Sequence, residues 1–180
     1  MTSDFQLAPF PDQTAPEWNA FSIKSNLHRL NQHLTVTFEL MGPLEELSLP
    51  TLNESPGRQD NLWEHTCFEF FFAEPTSSAY WEVNLSPSGD WNLYHFSDYR
   101  TQMAEENRIG ELTCQCEQSS SCLSLTCPMP LDAIALESSA LELSITAVLK
   151  NSRGDLSYWA IAHTSQEADF HQRSSFTVQI

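Results

Sequence analysis

Acidic and amide side chains alternate with large aromatic side chains along one central stretch of the chain, residues 62–96. This stretch contains three of the five tryptophans, with Glu69 in the run LWEHTCFEFFF and Glu82 and Asn84 in the run YWEVNL. Carboxylates and amides exchange hydrogen bonds with hydroxyl groups, and aromatic rings pack against the apolar faces of sugar rings. These residue types in this pattern predict a site for a small, hydroxyl-rich ligand.

We expect nine residues to contact such a ligand, some by hydrogen bonds and some by stacking. Two adjacent inward polar residues such as Glu82 and Asn84 would be costly in a dry core, which favours a wet face. Large aromatics dominate core burial, so each tryptophan is also a candidate core residue. Trp63 is a further ring that could stack. The polar candidates are Glu69, Glu82, Asn84, Asn92, Arg100 and His163, and the aromatic candidates are Trp91, Tyr94 and Trp159.

Other chemistries have weaker support in the sequence. Glu69 and Glu82 could cleave a glycosidic bond if their carboxyl groups were roughly 5–9 Å apart, but no other catalytic motif accompanies them. His65 and Glu69 on one strand would lie about 13 Å apart, too far to share a metal ion. Cys114 and Cys116, at about 7 Å, are too far apart for a disulfide. We therefore predict a protein that is neither an enzyme nor a metal-binding protein.

The composition excludes several classes of partner. The 180 residues suit one domain with a real core. The net charge of −16 arises from only eight Lys and Arg residues, so the surface repels nucleic acid and offers no basic patch to a membrane. The sequence shows no signal peptide or spanning segment, and an odd number of cysteines, five, fits a reducing compartment. We expect a cytoplasmic location.

The central stretch ends in a predicted β-hairpin. Residues 80–85 and 91–96 flank the turn 86–90, in which Gly89 is available for positive φ. Pairing Leu85 with Trp91 places Asn84 opposite Asn92 on one polar and aromatic face. A one-residue slip would exchange the faces of one strand.

The remaining elements predict an all-β domain. Residues 1–19 are expected to form an extended lead-in, 97–109 a loop and 128–136 a short helix. Two more hairpins are predicted, with Glu117 opposite Cys122 and with Thr146 opposite Trp159. Short strands with little helix favour an antiparallel β-sandwich. The other predicted strands are 20–24, 34–40, 65–72, 111–117, 122–127, 141–150, 156–163 and 175–180.

Several of these segments together resemble the DOMON-like family, uncharacterised bacterial proteins related to family 9 carbohydrate-binding modules. The matching segments are LWEHTCFEFFF, YWEVNLSPSGDWNLYHFSDYR, LSYWAIAH and ADFHQRSSF. The resemblance implies a single jelly-roll-like β-sandwich over residues 1–180, with at most one or two short helices. It also implies a concave face that binds a carbohydrate-like ligand.

Two alternatives remain open at this point. In more distant relatives of this family the same fold holds a haem, so a haem-binding or redox module is the first alternative. An axial ligand would then come from His95, His163, His171 or Met103. The second alternative is a sandwich that binds only other proteins.

Overall fold

The described part of the chain consists of β-strands, short 3-10 turns and the loops that join them. The computed structural model describes residues 2–11, 16–134, 136 and 140–180, and these residues contain no α-helix. The strands are β1 Thr2–Pro9, β2 Ser22–Leu30, β3 His33–Met41, β4 Cys67–Ala73, β5 Tyr80–Leu85, β6 Trp91–Phe96, β7 Ala104–Glu105, β8 Gln115–Gln118, β9 Cys122–Pro130, β10 Glu142–Lys150, β11 Leu156–Ala160 and β12 Val178–Gln179. The 3-10 turns are Pro16–Ala20, Leu44–Glu46, Leu62–Glu64, Leu131–Ala133 and Arg173–Ser175.

The strands form one curled antiparallel sheet in the order β7-β6-β5-β4-β10-β11-β1-β2-β3-β9-β8, with β12 added to β10. Strand β1 joins the two halves of this sheet: residues 2–7 pair with β2, and Ala8 and Pro9 pair with β11. The prediction of an extended lead-in over residues 1–19 was therefore wrong for β1. The sequence of β1 shows no clear alternation of apolar and polar residues, because most of its residues are polar and it ends in Pro9. Leu7 is its buried, inward residue. Residues 12–15 lie outside the described part of the chain.

A single large core lies between the two halves of the sheet. The alternating positions of β3 and β4 supply much of it, and the rings of Phe38 and Phe68 meet with their centroids 5.2 Å apart. In β4, the inward residues Phe68, Phe70 and Phe72 are completely buried. The period-two alternation of a strand explains why the neighbouring residues of β4 point away from this core.

The hairpin β5–β6 has the register that the sequence predicts. Leu85 pairs with Trp91 and Asn84 with Asn92. The turn closes through a hydrogen bond from the backbone N–H of Ser86 to the carbonyl oxygen of Asp90, at 2.8 Å. Gly89 has a φ of +91°, a conformation that few other residues adopt without strain.

The hairpin β8–β9 differs from the prediction by two residues. Glu117 pairs with Ser124 instead of Cys122, and a shift of two keeps every side chain on its predicted face. The short helix expected over residues 128–136 was wrong, because Pro128 continues β9 opposite Thr35 of β3. Proline fits there because β8 pairs with β9 only as far as Thr126, which leaves the missing N–H without a strand partner. Residue 135 lies outside the described part of the chain.

The hairpin β10–β11 differs from the prediction by one residue. Thr146 pairs with Ala160, so Trp159 lies opposite Ala147 on the core face. A shift of one exchanges the two faces of β11. Tyr158, which was expected in the core, therefore lies on the other face, opposite Val148.

Two further features bear on the class of protein. Within the described ranges, no helix has the length and apolar character that a membrane span requires. All five cysteines are free thiols.

The contact between Phe38 and Phe68 joins the two halves of the sheet, so its loss should be costly. We expect Phe68→Ala to lower the free energy of unfolding by about 3–5 kcal/mol through lost burial and a cavity. Leu52→Ala, at a side chain that is 68% exposed, should change it by less than about 0.5 kcal/mol. Urea denaturation of both variants measures this. A loss below about 1 kcal/mol for Phe68→Ala would show that this contact does not hold the core together.

Candidate ligand-binding pocket

Two rows of mostly polar side chains cross β10, β4, β5 and β6, on the face that points away from the large core. We call this face the pocket face. One row consists of Thr146, Glu69, Asn84 and Asn92, which are paired in sequence across the four strands, and the next row consists of Ser144, Phe71, Glu82 and Tyr94. All eight residues are buried, because loops cover this side of the sheet. The pocket face is therefore an enclosed polar layer beneath a second, smaller group of aromatic residues.

A cavity of about 710 Å³ lies above this face. Its size is in the range of sites for small organic ligands. Arg100 and Met103, in the segment 97–109 that could have filled the space, instead form part of its wall. The aromatic lining residues are Phe10, Trp63, Phe71, Phe96, Tyr158 and Phe170, and the polar ones are Glu69, Glu82, Arg100, Gln166, Glu167 and His171; Met103, Val148 and Ala168 complete the lining.

Glu69 lies at the floor of the cavity and is 2% exposed. Thr146 donates a hydrogen bond to its Oε2 at 3.3 Å, whereas Oε1 has no hydrogen-bond partner among the described residues. Burial raises the pKa of Glu69 well above its usual range, and the neighbouring charge of Glu82 raises it further. The surroundings of Glu69 therefore favour its protonated, neutral form.

Glu82 is the second buried carboxyl group that lines the cavity. The side-chain amide of Asn84 donates a hydrogen bond to its Oε1 at 2.9 Å. Burial raises the pKa of Glu82 to about 7, although the bond from Asn84 and the charge of Arg100 act in the opposite direction. Glu82 is therefore close to half-protonated at neutral pH, and small changes in its surroundings will decide its charge.

His171 closes one side of the cavity as a neutral ring. Its Nδ1 lies 2.8 Å from the hydroxyl oxygen of Tyr80, and its ring meets the rings of Phe71 and Phe96 edge-on. Burial, followed by the charge of Arg100, lowers the pKa of His171 to about 4. Its Nε2 lies 3.8 Å from Oε2 of Glu82, and because the ring is neutral this contact is not an ion pair.

Arg100 lies at the mouth of the cavity and forms its ion pair with Asp169, which does not belong to the floor. Its guanidinium group lies 3.0 Å from Oδ1 of Asp169, and its side chain is 51% exposed. Burial alone would raise the pKa of Asp169, but hydrogen bonds from Tyr99, Gln172 and Arg100 lower it to about 2. Arg100 is thus paired with Asp169 and not with either carboxyl group of the floor.

The structure corrects the predicted stacking residues. Trp91 and Trp159 are 2% and 3% exposed and belong to the large core, so neither ring reaches the cavity. The guanidinium group of Arg58 lies 4.4 Å from the centre of the Trp91 ring. Trp159 was expected to stack on a ligand because the predicted register of β11 placed it on the pocket face, and that register was wrong by one residue. Trp91 was already on the apolar face of the predicted hairpin, and that pairing argued against its choice.

Three further predicted residues are buried or bonded at the edge of the site without lining the cavity. Asn92 accepts a hydrogen bond from Arg58 and donates one to the hydroxyl of Tyr94, both at 2.8 Å. Tyr94 in turn donates to Asp60 at 2.6 Å. His163 contacts the carbonyl oxygen of Ala8 through Nε2 at 2.9 Å. These contacts hold loops against the sheet.

Of the nine predicted residues, Glu69, Glu82 and Arg100 line the cavity, and Asn84 supports Glu82 from below. Several lining residues were absent from the prediction. Tyr158 was assigned to the wrong face, and Phe10 follows a segment in which no strand was expected. Phe170 and His171 belong to a matching segment of the family resemblance, but no spacing in the sequence places them over β4 and β5.

The arrangement does not fit a haem. Nε2 of His171, the ring nitrogen not bonded to Tyr80, faces the buried carboxyl group of Glu82, so an iron atom would have to displace that contact. Met103 is 46% exposed at the mouth, and His95 packs against Trp81 on the core side of β6. His163, the remaining candidate, is bound to Ala8. We therefore derive no role for a haem.

Comparison with solved structures shows the fold. A candidate carbohydrate-binding protein from Bacteroides uniformis ATCC 8492 aligns with a TM-score of 0.73 and 11% identity over 99% of this chain and 84% of that one. A family 9 carbohydrate-binding module from Caldicellulosiruptor kristjanssonii in complex with glucose aligns with a TM-score of 0.50 and 13% identity over 88% and 75% of the two chains. The same type of module in complex with cellotriose gives the same values over 88% and 73%. No family model and no curated protein matches the sequence.

The pKa of Glu82 predicts a pH-dependent stability. A carboxyl group with a raised pKa stabilises the folded state fully below its unfolded value of about 4.5 and loses that contribution as the pH rises through about 7. We expect the stability of the wild type to fall over this range, relative to Glu82→Gln, by up to about 1.4 kcal/mol per pH unit. Urea denaturation from pH 4.5 to 8 measures the difference.

The matched control for this experiment is Glu39→Gln, at an exposed residue of β3. Its difference from the wild type should stay nearly constant over the same range. A similarly flat difference for Glu82→Gln would show that Glu82 titrates as an ordinary exposed glutamate.

Proposed function

We propose that this protein is a non-catalytic binding protein for a small carbohydrate, which it holds in the cavity on the pocket face. The observation that carries the proposal is the lining: six aromatic rings surround a floor with two carboxyl groups. Sugars need this combination, because their C–H faces pack on rings while their hydroxyl groups need donors and acceptors. Oε1 of Glu69, which has no hydrogen-bond partner among the described residues, is available to a hydroxyl group of the sugar.

The partly accessible rings fit a stacking role. Trp63, Tyr158 and Phe170 are half-buried, whereas Phe71 and Phe96 are buried behind them. The ring of Trp63 packs edge-on against Tyr94 with centroids 5.8 Å apart, which holds its orientation. Such a preformed ring loses little freedom when a ligand packs against it.

The similar structures support this proposal, because two of them are complexes of family 9 modules with sugars. One holds glucose and the other holds cellotriose. We also propose that the fold is a jelly-roll-like β-sandwich of DOMON-like type and that the protein is cytoplasmic.

Trp63 gives the proposal a direct test, because it is half-buried while the other four tryptophans are at most 5% exposed. We expect saturating sugar to change the fluorescence and to protect Trp63 from acrylamide. We expect calorimetry to show that Trp63→Ala weakens binding at least tenfold, about 1.4 kcal/mol, while Trp63→Phe retains most of it. Glu39→Gln on β3 should bind as the wild type does.

The ligands for this test are glucose, glucosamine, N-acetylglucosamine and cellotriose. Wild-type protein that binds none of them, or that binds them unchanged after Trp63→Ala, would refute the proposed site. Circular dichroism of each variant confirms that it is folded before its affinity is compared.

A further inference from the structure

The acidic residues that line the cavity outnumber its charged basic residues. Glu69 and Glu82 form its floor, and Glu167 lies at its exposed rim. The basic residues among its described lining are Arg100, which is paired with Asp169, and His171, which is neutral. The whole chain carries a net charge of −16, so the field around the cavity also favours cations.

One buried oxygen at the floor points to a missing partner. Oε1 of Glu69 has no hydrogen-bond partner among the described residues, although the residue is 2% exposed and lines the cavity. Buried polar atoms of this kind are costly unless a ligand or another group satisfies them. A donor from the ligand would remove this cost.

The aromatic walls add a second attraction for positive charge. Trp63, Tyr158 and Phe170 present partly accessible rings above the two carboxyl groups. Cations are attracted to the faces of such rings, most strongly to tryptophan, and the attraction grows when water is excluded. An anionic ligand would meet both the carboxyl groups and the electron-rich ring faces, and would be repelled.

We propose that the ligand of this pocket is an amino sugar, whose protonated amine lies between Glu69, Glu82 and the aromatic wall. This inference rests on the proposed function, since it specifies the class of carbohydrate. An ammonium group has three donors, so it can supply hydrogen bonds to both Oε1 of Glu69 and the carboxyl group of Glu82. A neutral sugar offers only hydroxyl donors and leaves the acidic floor without a countercharge.

The titration of Glu82 adds a measurable consequence. The groups around it are Glu69, Asn84 and Tyr94 on the neighbouring strand positions, and Tyr80, Arg100 with Asp169, and His171 beyond them. Because the pKa of Glu82 is about 7, part of the population is protonated at neutral pH. A bound ammonium group favours the charged carboxylate, so binding should release a proton to the buffer.

Titration calorimetry of the wild type at pH 7 tests the inference, in two buffers with different heats of ionisation. We expect glucosamine to bind at least tenfold more tightly than glucose or N-acetylglucosamine, and to release protons on binding. N-acetylglucosamine is the matched control, because it has the same nitrogen position without the charge. We expect Glu82→Gln to reduce the preference for glucosamine over glucose at least tenfold.

The outcomes separate the two proposals. Glucose or N-acetylglucosamine binding as tightly as glucosamine, with no proton release, would overturn the amino-sugar inference and leave the carbohydrate site standing. A wild-type protein that binds no sugar would overturn both. Proton release is measured on the wild type, so the inference stays testable if Glu82→Gln does not fold.

Discussion

Two carboxyl groups on neighbouring strands lie in a buried layer without an ion-pair partner among the described Lys and Arg residues, and the properties of this protein depend on that constraint. Glu69 and Glu82 are 2% and 5% exposed, and burial raises the pKa of both carboxyl groups. Burial also raises the pKa of the neighbouring thiol of Cys67, and both carboxylate charges raise it further. Two charges in such a place would cost several kcal/mol each. The folded protein reduces this cost because burial favours the protonated form of Glu69 and raises the pKa of Glu82 to about 7.

The same strands make this arrangement possible. Alternate residues of β4 place Phe68, Phe70 and Phe72 in the large core and Glu69 and Phe71 on the pocket face. The apolar side anchors the strand, so the polar side is free to carry groups that do not stabilise the fold. Functional sites often contain such unfavourable groups, whose cost the rest of the structure offsets.

Loops from distant parts of the sequence convert the polar face into a cavity. Trp63 precedes β4, Arg100 and Met103 follow β6, and Phe170 and His171 follow β11. The bond between His171 and Tyr80 attaches one loop to β5, and the pairing of Arg100 with Asp169 joins two of the loops. The loops therefore exclude water from the floor, which raises the pKa values there and strengthens any contact with a charged ligand.

The fold was predictable from the sequence where turn chemistry set the register, and much of the site was not. The turns 86–90 and 151–155 both end in Gly-Asp and have the same closing hydrogen bonds, with Gly89 and Gly154 at positive φ. The first was predicted as a five-residue loop and its register is confirmed. For the second turn the predicted pairing of Thr146 with Trp159 was wrong by one residue, and that shift placed Trp159 at the site and Tyr158 in the core. Comparison of the two turns would have found the error.

Glu69, Glu82 and Asn84 could be predicted from the alternation within strands, which a sequence displays. The other parts of the site had no comparable signal. The positions of Phe10, Phe170 and His171 depend on how loops and β1 pack over the sheet, and no local pattern encodes such long-range contacts. Trp91 shows the opposite error, since its type suggested a ligand contact while its place in the alternation predicted burial.

The most direct test of this account is an NMR titration of the side-chain carboxyl carbons of Glu69 and Glu82 in the free protein. We predict that Glu82 titrates near pH 7, and that Glu69 titrates well above the ordinary range of glutamate. Two ordinary titrations near pH 4.5 would contradict it, because they would show that the floor of the cavity is solvated or that a cation already balances it.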